Sequence, residues 1–399
     1  LKLSKEIKRL LMMNASSNII FNYIGIFVNL YIWQENKSIF DVAWFNLIQF
    51  VTWTLCFLLG SFLISRYSNR ILIRAIALCG AATFLLLTFL HLDNRLLWIA
   101  SIAVPVGAMW GFYASAQNLT LSLYGKGKDF ESYFSVSSVL GQTISVVNPV
   151  VFALVIQWLG FSGSFLLMFL FVLILLWVSF LIPSITLARE GVPLARNLSF
   201  GKVFSTTSLK WLVPSCMAAG VFLQFQSLFA LLFTFSVSKD KLVIALLNVL
   251  YTCFAMCAML LYRKMKVKEN VWLAVGMGCL SVGFLIVLFP AAPILVISNI
   301  LTTVGMFYFA TVWNTRQFAV ISRSTPIEQA RIFMWRECLL NLSRILVNLL
   351  VLNVKDFHGG MFIFLLGLAL SCASVIPYLS GKGIDTFAGE KNNSADMSA

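Results

Sequence analysis

Residues 330–354 read as a segment fit for hydrocarbon apart from one stripe. At helical spacing Glu337, Asn341, Arg344 and Asn348 share a face, while Leu339, Leu342, Ile345, Leu346 and Leu349 fill the other sides. As a helix the run spans roughly 37 Å at about 1.5 Å per residue, slightly more than a bilayer core, which sets Arg344 near the midplane. A central arginine costs about 2.5 to 3.5 kcal/mol on insertion scales, so the stripe must face protein or a water-filled cavity. The chemistry open to it is recognition. A guanidinium holds a carboxylate or phosphate through two parallel hydrogen bonds, and amides complete the bonding of a polar solute. Arg344 therefore either contacts such a solute or forms a structural or gating pair with Glu337, two turns away. Glu337 is also the clear acidic candidate for carrying a coupling proton.

Three further clusters of polar groups lie in apolar surroundings. Asn14, Asn18, Asn22 and Asn29 line one side of the first apolar run, as hydrogen-bonding partners of another helix or as a cavity wall. The fourth run carries a small-residue track, Gly107, Gly111 and Ser115, suited to close helix contact, beside Trp110, Tyr113, Gln117 and Asn118. The fifth places Gln142, Ser145 and Asn148 on one face before Pro149. No HExxH, intramembrane His or Asp pair or GxxxxGK[ST] occurs, so an enzyme is not expected. Eight cysteines lie within apolar runs without a CxxC pair and imply no disulfide framework; no metal or cofactor is expected.

The elements that position these groups follow from composition. The chain is 60% hydrophobic and 11% charged, with a mean hydropathy of +0.91, values that 399 residues of soluble protein could not carry. An all-α membrane protein is expected, with twelve transmembrane helices beginning near residues 10, 40, 71, 96, 133, 162, 209, 241, 271, 292, 330 and 359. The first run is too long and too rich in Asn for a cleaved signal peptide, so it counts as a membrane helix. The net charge of +14 is a topology signal and not a sign of nucleic acid. With both termini cytoplasmic, the basic residues fall on the cytoplasmic side except for Lys37, Arg95, Lys239, Lys241, Lys355 and the buried Arg344. An added attraction to anionic lipid is the weaker reading of that charge.

Between the second and third runs, Gly60, Ser65, Arg66, Tyr67, Ser68 and Arg70 resemble the signature of the major facilitator superfamily, although Ser65 stands where that family has an aspartate. The aspartate helps latch the two halves of family members, so Gly60, Arg66 and Arg70 are gating candidates and the latch itself is altered. The resemblance implies two six-helix halves, residues 1–183 and 209–380. A cytoplasmic linker at 184–208 joins them, and a polar, irregular cytoplasmic tail follows at 381–399. Residues 198–204 are expected at the membrane surface. Weak internal matches agree with two halves: residues 112–118 align with 308–314, Gln142 with Asn341, Ser145 with Arg344 and Arg66 with Arg263.

By the same resemblance a cavity lies near the midplane between the halves. Its candidate substrate-binding residues are Asn18, Asn22, Trp110, Gln117, Asn118, Gln142, Trp313, Asn314, Asn341, Arg344 and Asn348. The glycine-rich Gly-Pro motif and the basic residue within the fourth helix that mark family drug exporters are missing, which argues against drug/proton antiport. The function implied is secondary active transport, by a permease running as importer or efflux carrier. Its solute is small and polar or amphipathic, and Arg344 suits an anionic one. A monomer in the plasma membrane is expected, touching lipid and coupled to a proton through Glu337. A lipid or glycolipid translocase of the same fold, or a transport-inactive scaffold or receptor, are the alternatives.

Overall fold

The computed structural model describes residues 5–124, 128–181, 194, 197–265, 267–289, 291–321 and 324–396. Side chains are described for these except at 5–10, 65, 118–124, 128–135, 138, 318–319, 326 and 383–396. Every regular element among the described residues is helical. In chain order they are α1 (Lys5–Tyr23), a π-helical turn (Ile24–Val28), α2 (Asn29–Asn36), α3 (Ile39–Arg66), α4 (Asn69–Phe89), α5 (Arg95–Tyr124), α6 (Lys128–Leu181), the short α7 (Phe200–Val203) and α8 (Thr207–Lys210), α9 (Leu212–Val237), α10 (Lys241–Lys264), α11 (Glu269–Ile286), α12 (Ala292–Ile321), α13 (Pro326–Val351) and α14 (Gly360–Asp396).

Ten helical segments among the described residues are long and apolar enough to cross a membrane. Residues such as Leu55, Phe89, Trp158, Trp177 and Phe289 expose more than half of their surface. Apolar side chains exposed on this scale suit lipid and not water. One apolar segment, Val139–Leu181, runs 43 residues, about 65 Å as a straight helix and twice a bilayer core. It does not run straight. At Gly160 the backbone takes φ 70° and ψ 179°, a conformation essentially reserved for glycine. The Tyr23 ring touches Phe152 before the break (4.8 Å between centroids), and its hydroxyl meets Ser164 Oγ after it (2.5 Å). Residues that far apart on a straight helix could not both reach one ring, so α6 is a helical hairpin. α13 is not among the ten, because Arg331, Arg336, Glu337 and Arg344 interrupt its apolar surface.

The chain forms two compact units. The first comprises residues 1–193 with 234–253. In it α3 lies along α5 with almost no space between backbones: a Cβ built on Gly107 would sit 2.3 Å from the Gln49 carbonyl oxygen, and one on Gly111 would sit 2.5 Å from that of Trp53. The small-residue track is thus a packing surface. Arg95 fastens one end of this unit, bonding Asp41 Oδ2 (2.6 Å), the Glu35 carboxylate and the Ile32 carbonyl (2.9 Å). At the same end Trp33 faces Phe235 (6.4 Å) and the Lys241 ammonium lies over the Phe161 ring (4.7 Å). Lys239 stands near Lys37 and pushes its ammonium below the usual lysine range.

The second unit comprises residues 194–233 with 254–399. Gly276 and Gly305 bring α11 and α12 together, and Gly220 lets α9 approach the Leu340 carbonyl of α13. Phe222, Phe225, Phe229, Phe284, Phe309 and Phe362 interlock at its centre, mostly edge to face. Arg316 ties α12 to its neighbours through Ser380 Oγ (3.2 Å), Asn270 and, at 3.8 Å, Glu269. The tail departs from expectation: the backbone of α14 stays helical through Asp396.

Glycine packing yields a stability test. Gly107→Ala is expected to lower the thermal stability of the purified protein by about 1–3 kcal/mol, the usual cost of overpacking. Gly278→Ala, where an added Cβ meets nothing within 4 Å, should cost nothing and can gain up to about 1 kcal/mol. Equal effects at the two positions would refute the close approach of α3 and α5.

Candidate functional site

In the second unit the site is built on α13. A capping box starts that helix: Thr325 Oγ1 accepts from the Glu328 N–H, and Glu328 Oε2 accepts from the Thr325 N–H. From that start, Asn341, Arg344 and Asn348 fall on one inner stripe, as their spacing predicts. Arg344 Nη1 donates to Asn341 Oδ1 (3.1 Å). Asn348 Nδ2 donates to the Arg344 carbonyl (2.9 Å), and its Oδ1 accepts from Gln224 Nε2 of α9 (3.1 Å). Asn341 and Asn348 are fully buried. Among the described residues nothing accepts from Asn341 Nδ2, and a buried donor left so costs about 1–3 kcal/mol. Glu337 is buried on the same helix, two turns before Arg344.

Trp313 and Asn314 gather around a different cation. Arg336 Nε donates to Gln317 Oε1 (2.7 Å) and Nη2 to Asn314 Oδ1 (3.0 Å), with the guanidinium 5.2 Å from the centre of the Trp313 ring. The Trp313 indole in turn donates to Ser215 Oγ of α9 (3.0 Å). Sequence reasoning treated Arg336 only as a topology-setting charge and missed Gln317 and Ser215. The usable signal was the place of Arg336, immediately before Glu337 and one helical turn before Leu340.

In the first unit Trp110 of α5 stacks on Phe21 (4.0 Å) and on Trp53 (5.1 Å, 9° between planes). Beside it the Tyr113 hydroxyl donates to Asn14 Oδ1 (2.9 Å), which also accepts from Asn18 Nδ2 (3.2 Å), while Asn14 Nδ2 donates to Ser137. Asn148 Nδ2 reaches Asn22 Oδ1 (2.9 Å) and the Ile19 carbonyl (3.1 Å). Asn14 and Asn22 therefore bond residues of other helices, with Tyr113 and Asn148 as partners, and Trp110 lies beside Tyr113. Gln142 is half-buried on α6, Gln117 is exposed on α5, and the Asn118 side chain lies outside the described residues.

Among the gating candidates, Gly60 serves contact, since a Cβ there would lie 2.3 Å from Ser115 Oγ. Arg66 is exposed, and the Arg70 N–H bonds Ser68 Oγ (3.3 Å) at the start of α4.

The two units repeat one scheme. Tyr113 reaches Asn14 in the first as Trp313 reaches Ser215 in the second, and Asn22 pairs with Asn148 as Gln224 pairs with Asn348. Double-mutant cycles, Asn22→Ala with Asn148→Ala and Gln224→Ala with Asn348→Ala, should each give a coupling between about 0.6 and 2 kcal/mol in thermal unfolding. Additive losses would show that the amides do not interact.

The family model described as Major Facilitator Superfamily matches residues 10–348. The fold is similar to that of a POT family transporter solved with a thioalcohol-conjugated peptide (TM-score 0.72, 12% identity, covering 94% of this chain and 96% of that one). It is also similar to the nucleoside transporter NupG (TM-score 0.61, 14% identity, 96% and 99%). A bacterial homologue of the iron transporter ferroportin, solved in an inward-facing state, is similar as well (TM-score 0.63, 13% identity, 94% and 97%). No curated protein sequence matches the chain. With a family model spanning most of its length and an all-helical fold shared with these transporters, the chain belongs to the major facilitator superfamily.

Proposed function

We propose that the chain is a secondary active transporter that moves a small polar or amphipathic solute by alternating access, with Arg344 holding an anionic group of that solute. The observation that carries this is the Asn341–Arg344 pair. A fully buried amide with an unmet donor stands one turn from a guanidinium, and both groups offer hydrogen-bond donors. A carboxylate or phosphate supplies an acceptor for the Asn341 amide, and a guanidinium beside it binds such a group through paired hydrogen bonds. The aromatic and amide wall around Trp110, Tyr113 and Asn148 supports the amphipathic character of the solute. The solutes named for the similar structures include a peptide conjugate, and one is a nucleoside transporter.

Counting the arms of α6 separately and adding α13 to the other nine apolar segments makes twelve crossings. They group as residues 1–183 and 209–380, with 184–208 as linker and 381–399 as tail. Both termini then lie on the cytoplasmic side of the plasma membrane with most basic residues. On that orientation the Lys37 end is external. The interlocked phenylalanines of the second unit are occupied in packing, which weighs for a solute carrier over a lipid translocase. We place the coupling proton on Glu337 and expect a monomer.

The test is thermal stability of the purified wild type and Arg344→Gln across organic anions, sugars, cationic compounds and lipids. An anion at about 100 times its dissociation constant should add roughly 2.7 kcal/mol to the wild type and little to the variant. A variant that is merely less stable, with the same ligand response, would make Arg344 structural. Once flux is measured, Glu337→Gln should abolish its dependence on a proton gradient; an unchanged dependence would remove Glu337 from coupling.

A further inference from the structure

A second constellation of charge and cavity lies in the second unit, on the stretch leading into α8 and the start of α13. A cavity of about 430 Å³ opens there, lined on one side by Lys202, Ser205 and Thr206 and on the other by Ser324, Glu328 and Arg331. Arg331 is buried, and its Nε donates to the Leu194 carbonyl (3.1 Å), which fixes the plane of the guanidinium. Lys202 Nζ is exposed and within 3.1 Å of Asn197 Oδ1. Glu328, the one carboxylate among the described lining residues, is already engaged in the capping box of α13.

The other side of α7 is apolar. Phe200, Phe204, Val213 and Pro214, with Lys210 as the one charged residue among the described lining, line an adjoining open groove of about 650 Å³, and Ser205 borders both spaces. Phe200 is 41% exposed, yet the segment is pinned in place. The Trp335 indole donates to the Leu198 carbonyl (2.8 Å), and the Phe200 ring meets the Trp335 ring edge to face (5.2 Å). A fixed cationic cleft with hydroxyls, continuous with an apolar groove at the end of membrane-crossing helices, matches a molecule with a phosphate at one end and hydrocarbon at the other.

We propose that the cleft binds the phosphate head group of an anionic phospholipid through Lys202 and Arg331, with an acyl chain against Phe200, Phe204 and Val213. Charge complementarity names the occupant. Two cations face the cleft, and a zwitterionic head group would bring its own cation among them. The site is separate from the Asn341–Arg344 pair and does not depend on transport.

Native mass spectrometry of the full-length protein in detergent, offered equal amounts of phosphatidylglycerol and phosphatidylcholine, tests this. The wild type should retain phosphatidylglycerol preferentially, and Lys202→Gln should cut that preference about fivefold, as loss of one basic residue near a lipid head group does. Phe200→Ser should lower retention of the same lipid, and millimolar inorganic phosphate should not displace it. Because Lys202 and Phe200 are exposed, unchanged melting temperatures will show that both variants are folded. Equal retention of the two lipids, an unchanged preference in Lys202→Gln, or displacement by inorganic phosphate would each overturn the proposal, the last by making the cleft a site for free anions.

Discussion

The controlling constraint is that polar groups inside a hydrocarbon layer must find partners within the protein. Arg344 imposes it most strongly, and the surrounding structure answers it. Asn341 accepts from the guanidinium, Asn348 takes the Arg344 carbonyl, and Gln224 brings α9 against α13 to complete the chain of bonds. The close approach of those helices depends on Gly220, where a side chain would collide with the Leu340 carbonyl and with Ser343. One charged residue thus accounts for an amide network and for the small residue that lets the network close.

The first unit meets the same constraint with amides, a hydroxyl and stacked rings. Asn14, Asn18, Asn22 and Asn148 bond one another and Tyr113, and the aromatic stack of Phe21, Trp53 and Trp110 fills the space beside them. The matching bridges in the two units place an amide or hydroxyl at corresponding positions while their chemistry differs. One is neutral and aromatic; the other carries Arg344, Arg336 and Glu337.

Much of this was legible from spacing alone. The stripe through Asn341, Arg344 and Asn348, the Gly107–Gly111–Ser115 track and the apolar runs are periodic features, and periodicity survives folding. What the sequence did not disclose depends on contacts between distant segments. Arg336 finds Gln317 and Asn314 only because α12 packs on α13, and a basic residue near a helix end looks the same whether it meets solvent or protein. Gly60, legible as part of a family signature, owes its position to Ser115 and Phe112 on α5. The register of the internal repeat shifted for the same reason: hydrogen bonds link Tyr113 to Asn14 and Trp313 to Ser215, whereas the sequence match paired Tyr113 with Phe309.

The most direct test of the central claim is solute counterflow in sealed proteoliposomes. Vesicles are preloaded with an anion that stabilises the wild type, and entry of the labelled anion is followed. The account predicts transient accumulation of label in the wild type, because an alternating carrier exchanges solute from either side, and its loss in Arg344→Gln. An anion that binds tightly yet shows no accelerated exchange would contradict it and identify the protein as a receptor or scaffold.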